Sequence, residues 1–109
     1  MKVVRMTMPE GKAVTQAFAK VNGAGKASLE VGTARLRAGE RVPPEGNSCH
    51  SGIEISYVLG GVVDVVNESG THRIAAGDLV IVPKNEWHYS NVVEEATLIY
   101  AFLEDAPCE

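Results

Sequence analysis

With 109 residues, 45% hydrophobic and 22% charged, the chain has the make-up of a single globular domain, residues 1–109, and not of a disordered segment. A net charge of −4 argues against a surface of clustered Lys and Arg for phosphates, so no nucleic-acid partner is expected. No apolar run is long enough to span a bilayer and residues 1–10 lack the apolar core of a secretory leader, so the expectation is a cytoplasmic protein with no membrane partner.

In chain order, short apolar or alternating stretches predict strands over 13–19, 27–37, 55–59, 62–66, 79–82 and 97–103, with a further hairpin arm over 71–75. Residues 10–20 are Ala-rich and tolerate a helix, but they alternate about as well as they coil and are read as part of a strand. Between these stretches lie turn signals. Asn22-Gly23-Ala24-Gly25-Lys26 superficially suggests a phosphate loop, but the GxxxxGK[ST] spacing fails at Lys20 and Ala27, so a hairpin is expected. Pro43-Pro44 removes two backbone donors and makes a stiff connector outside any strand. Gly60-Gly61 reads as a turn, Glu68-Ser69-Gly70 as a hairpin loop with Gly70 free to take a positive φ, and Ala76-Gly77-Asp78 as a turn stabilised by Asp78. Frequent Gly and Asn turns, with no capped stretch at helical spacing, place the chain among all-β sandwiches or barrels. Arg35 and Arg37 share a strand face, expected to be solvated, and His72 near a hairpin is expected in solvent. Tyr57 and Tyr100 are each a minority candidate for lining a pocket, with core or surface positions the ordinary outcome.

The chain has three histidines, and two of them lie in spaced patterns. The first runs from Gly46 through Ser48, Cys49, His50, Gly52 and Glu54 to Gly60-Gly61. The second runs from Gly77 and Asp78 through Pro83 and Trp87 to His88 and Asn91. Ligand atoms on one metal ion sit about 2 Å from it. Along an unbroken strand His50 and Glu54 would stand about 13 Å apart, so the chain must bend between them, and Ser51-Gly52 is the place for it. His88 must then arrive by tertiary pairing, as the closed interior of a barrel allows. The ordinary alternative is a pair of neutral imidazoles hydrogen-bonded inside the barrel, with Glu54 as one partner. Cys49, one position off the His50 face, is expected as a packed thiol. Cys49 and Cys108 form no CxxC pair and are expected to be free in a reducing compartment.

These patterns resemble the two motifs of the cupin superfamily, G(X)5HXH(X)3,4E(X)6G and G(X)5PXG(X)2H(X)3N. His50, Glu54 and Gly61 match the first; Gly77, Pro83 and His88 match the second. The resemblance covers roughly residues 39–92. It implies an all-β, cupin-type double-stranded β-helix (jelly-roll barrel). It also implies one divalent transition metal (Fe, Mn, Ni or Zn) held by His50, Glu54 and His88. The sequence departs from the motifs at several positions. Ser48 replaces the first histidine, which would weaken metal binding. Asn85 replaces a glycine, a mild change because Asn tolerates the left-handed conformation. Val42 stands at the opening glycine, and Val92 stands at the terminal asparagine.

The function expected from these residues is a small metal-binding cupin that acts on, or binds, a small oxygenated acid or sugar in the barrel, by dioxygenase, isomerase or lyase chemistry. One alternative is a small-molecule-binding or sensor barrel without turnover. Another is a metal-free sugar epimerase or isomerase with a His base and a Tyr acid. A homodimer is also expected, because so short a chain leaves sheet edges to cover; residues 1–8 and 97–103 are the candidate contact strands.

Overall fold

The computed structural model describes residues 1–11, 14–25 and 27–104, so Cys108 and the start of the expected 13–19 strand lie outside the described residues. Seven strands and no helix make up the described chain: β1 Thr15–Asn22, β2 Ser28–Leu36, β3 Arg41–Val42, β4 Ile53–Asn67, β5 Gly70–Ala75, β6 Leu79–Val82 and β7 Tyr89–Glu104. All pairings are antiparallel.

The architecture follows from two long strands that change partners half-way. The first half of β4 pairs with β6 and with the second half of β7, which in turn pairs with β2. The second half of β4 pairs with β5 and with the first half of β7, which also carries β3. One layer therefore reads β1-β2-β7-β4-β6 and the other β3-β7-β4-β5. They face each other across a shared core. Ala34, Val58, Ala96 and Leu98 from the first layer and its bend meet Val63 and Val92 from the second in a single buried cluster.

The bend is written at Gly60-Gly61. The expected turn is instead a break in register within one strand, with shifts between Val58 and Val63. Gly61 has φ 89°, and a β-carbon there would collide with the carbonyl oxygen of Glu95 and with Ala96 Cα, so the backbones of β4 and β7 approach too closely for any side chain. The shift also exchanges inside for outside. Glu54 and Ser56 line the interior before it, Val63 and Val65 after it.

Other turns form as the residues dictate. Gly23 N–H donates to the Ala27 carbonyl in the β1–β2 hairpin. Gly70 takes φ 123°, and His72 Nε2 joins Asn67 Oδ1 at 3.0 Å on the exposed β4–β5 hairpin. Asp78 accepts from the Ala75 amide at 2.8 Å. The N-terminal segment straps the outside of β2: Thr33 Oγ1 donates to the Thr7 carbonyl, Arg37 donates to the Gly11 carbonyl, and Pro9 is fully buried. Arg37 also meets Glu95, so on the solvated face expected for it the guanidinium is paired. Residues 97–103 are a central strand with both edges paired, and what they leave open is an outer face.

Candidate metal centre

The sheet register builds the site row by row. On the inner face of the first layer, Lys20, Glu30, Phe102, Glu54 and Val82 lie side by side on β1, β2, β7, β4 and β6. The next row holds Gly32, Tyr100 and Ser56. Alternation along each strand puts these side chains into one cavity of about 460 Å³, which also receives Ser48, His50, His88 and Ser90.

His50 and His88 reach it from the connections flanking the strands. Ser48 and His88 exchange backbone hydrogen bonds at 2.8 and 2.9 Å, which sets the first motif beside the second. The Asn85 amide donates to the His50 carbonyl at 2.8 Å, and Asn85 takes φ 60°, the left-handed conformation that its motif position demands. Gly52 serves the expected bend through close approach: a β-carbon there would strike the Leu103 carbonyl oxygen.

His50, Glu54 and His88 each present a ligand atom, all within 4.8 Å of one another. His88 Nε2 stands 3.8 Å from Glu54 Oε2, and the two imidazole rings lie 5.7 Å apart. Donors about 2.1 Å from one ion stand roughly 3–4 Å apart, so the His88–Glu54 pair already fits and the widest gap closes with about 1 Å of side-chain rotation. His88, only 9% exposed, has Nδ1 3.3 Å from the Glu86 carbonyl. A carbonyl only accepts, so Nδ1 carries the hydrogen and Nε2 of the neutral ring turns a lone pair toward Glu54. Two acceptors then face each other. Such a contact is relieved by a cation between them, a proton or a metal, or by a water that donates to both.

Ser48 lines the same cavity, where the motif's first histidine would be. Cys49 is exposed and free, so the expected packed thiol is not found; the chain turns its side chain away from the cavity that receives its neighbours. Of the two candidate tyrosines, Tyr100 lines the cavity and Tyr57 is 45% exposed on the outer face. Neither Arg35 nor Arg37 lines the cavity.

Glu30, Phe102 and Glu104 escaped the reading of the sequence. Tyr100 donates to Glu30 Oε2 at 2.8 Å, and Ser51 donates to Glu104 at 3.0 Å. Desolvation, reinforced by the Glu30 hydrogen bond and the nearby charges of Glu30 and Glu54, pushes the Tyr100 phenol up to about 12. A phenol held protonated in the fold, against about 10 in the unfolded chain, adds stability that is complete below pH 10 and is lost as pH rises through about 12. A spectroscopic phenol titration should therefore contain a step at about 12 that Tyr100→Phe deletes. An unchanged titration in that variant would contradict the assignment.

The family model of the cupin domain matches residues 32–102, well over half of the chain. The chain belongs to the cupin family. This cupin is similar in structure to a protein of unknown function from Streptococcus pyogenes, SPY1581, at 15% identity and TM-score 0.71, covering 94% of this chain and 82% of that one. It is similar also to the EutQ protein of Clostridium difficile, at 21% identity and TM-score 0.60, over 70% of this chain and 56% of that one. A third similar structure is the G106A mutant of salicylate 1,2-dioxygenase from Pseudoaminobacter salicylatoxidans, at 23% identity and TM-score 0.60, over 68% of this chain. The cupin spans just over half of the EutQ chain and 20% of the dioxygenase chain. No curated protein sequence matches it. At these identities the likeness concerns the fold, and it agrees with the jelly-roll barrel expected from the motifs.

Proposed function

We propose that this cupin binds one divalent transition metal through His50 Nε2, Glu54 and His88 Nε2, and that the metal faces a small molecule held in the barrel cavity. The observation that carries the proposal is the pair of facing acceptors, His88 Nε2 and Glu54 Oε2, at 3.8 Å with a second imidazole beside them. Two imidazoles and a carboxylate suit Fe, Mn, Ni or Zn. When bound, such an ion supplies Lewis-acid polarisation or a site for redox chemistry on the ligand. The chain supplies the rest. The Glu86 carbonyl fixes the His88 tautomer, Phe102 packs edge-on against His50 at 5.4 Å, and aliphatic side chains line much of the cavity. Dioxygenase, isomerase or lyase activity, or binding without turnover, are all compatible with this arrangement; the dioxygenase among the similar structures supports the first.

Metal-free acid–base catalysis is supported less well. In that reading the base would be His88 Nε2, beside Glu54, or a ring nitrogen of His50. Tyr100, the facing phenol, already donates to Glu30.

The test is thermal unfolding with and without added metal. At a free metal concentration 100-fold above Kd, binding to the folded state adds about 2.7 kcal/mol, a rise in Tm on the order of 10 °C that a chelator should reverse. A Tm indifferent to Zn, Mn, Ni and Fe would contradict the proposal.

A further inference from the structure

The cavity's polar groups beyond the three donors bear on its ligand. Glu30 and Glu54 flank Phe102 on neighbouring strands, so they stand two strand spacings, roughly 10 Å, apart with an aromatic ring between them. Tyr100, set over Gly32 where a β-carbon would meet its ring, donates to Glu30 and holds that carboxylate as an acceptor. The ionised groups lining the cavity are Glu30, Glu54, Glu104 and Lys20, and no arginine lines it among the described residues. Lys20, exposed, sits opposite Glu30 in the register. Three carboxylates are balanced by one lysine and the two charges of a metal. Apart from the metal itself, the one basic side chain is Lys20, which already stands opposite Glu30. The remaining walls are aliphatic, with Leu36, Val63, Ile74 and Leu98 among them.

We infer that the cavity takes a neutral, hydroxyl-bearing ligand with an apolar body lying over Phe102, one hydroxyl donating to Glu30, and that it disfavours carboxylates. Between the two substrate classes expected from the sequence, acid and sugar, the charge balance selects the uncharged polyol side. This rests on the metal assignment above. The test uses cobalt-loaded protein and a matched pair of probes, phenylethylene glycol and mandelate, which share a skeleton and differ only in a terminal CH2OH or carboxylate. Affinity is read from the cobalt spectrum. Glu30→Gln should strengthen mandelate and weaken the diol, each on the order of tenfold, because a charge roughly 10 Å away and one hydrogen bond are removed. Tyr100→Phe, which leaves the Glu30 charge in place, should keep mandelate weak. Glu30→Gln leaving both affinities unchanged, or neither probe binding cobalt-loaded wild type, would overturn the ligand class while leaving the metal site intact. Failure to load cobalt at all would instead overturn the metal assignment and this inference with it.

A separate observation concerns the outer face of the first layer. Ile55 pairs with Ile81 and Tyr57 with Leu79, while Leu29, Leu103 and Ile53 form the adjoining row. Leu79 is 59% and Ile81 60% exposed, and Ile55, Tyr57, Leu59, Leu103 and Leu29 are also exposed. These seven side chains carry no formal charge. At roughly 150–200 Å² each and about half exposed, they offer roughly 600 Å² of apolar surface, the upper end for a monomer. With a polar rim this approaches the ~800 Å² per partner of a stable interface. We propose that a second copy of this chain covers it in a two-fold dimer, since a two-fold contact sets the same apolar patch against itself and buries both copies at once. Sedimentation at micromolar concentration should give twice 11.6 kDa, and both Ile81→Glu and Tyr57→Lys should give folded monomers by circular dichroism. Wild type sedimenting at 11.6 kDa, or dimers surviving both substitutions, would overturn it.

Discussion

Replacing His88 with alanine is expected to lower metal affinity more than 100-fold while leaving the barrel folded. Losing an outer partner of a ligand commonly costs about 10–100-fold, and His88 is a proposed ligand itself, so its loss should cost more. The fold loses one long hydrogen bond, from Nδ1 to the Glu86 carbonyl, at about 1 kcal/mol, plus the burial of one ring. The Ser48–His88 bridge uses only main-chain atoms and survives the substitution. Removing the ring also ends the acceptor contact with Glu54, which offsets part of the cost in metal-free protein. Isothermal titration of wild type and variant measures the change. Equal uptake by the two would rule out His88 as a ligand.

Gly61→Ala should be the most damaging single-methyl substitution in the chain, costing more than about 3 kcal/mol, against the 5–15 kcal/mol that holds a typical domain together. Gly77 provides a matched control. The two glycines have φ 89° and 92°, but a β-carbon at Gly77 meets nothing within 4 Å, whereas at Gly61 it runs into the main chain of β7. Gly77→Ala should therefore show only the backbone strain, about 1–3 kcal/mol. Urea unfolding of both variants isolates the contribution of close strand approach at the bend. Equal losses at the two positions would mean that close approach adds nothing.

The fold was legible where composition and turn chemistry act locally. The 79–82 strand, the hairpin at Gly70 and the Asp78 turn form where the residues call for them. The clustering of His50, Glu54 and His88 followed from motif spacing, which carries tertiary information that periodicity lacks. What remained hidden depends on long-range pairing. Gly60-Gly61 has the composition of a turn, yet β4 continues through it because β7 lies alongside both halves. The first half of β7, with Ser90, Asn91, Glu94 and Glu95, has little strand character of its own and is held extended by β3 and β4.

Inside and outside were hardest to tell apart. In β2, Leu29 and Val31 alternate with Glu30 and Gly32, a pattern that points the aliphatic side chains inward. The structure points Glu30 inward and leaves Leu29 exposed, because the outer face of this layer is itself apolar and alternation no longer marks the core. Glu30 was missed as a cavity residue for that reason. Tyr100 was only a minority candidate because its register on β7 had no local signal.

The most direct test of the account is equilibrium dialysis of wild type and a Glu54→Gln, His88→Ala double variant against micromolar Zn, Mn, Ni or Fe, with bound metal measured by elemental analysis. The account predicts one ion per chain in wild type for at least one of these metals, and none in the double variant, with both proteins folded by circular dichroism. Wild type that retains no metal, or a double variant that retains as much as wild type, would contradict it.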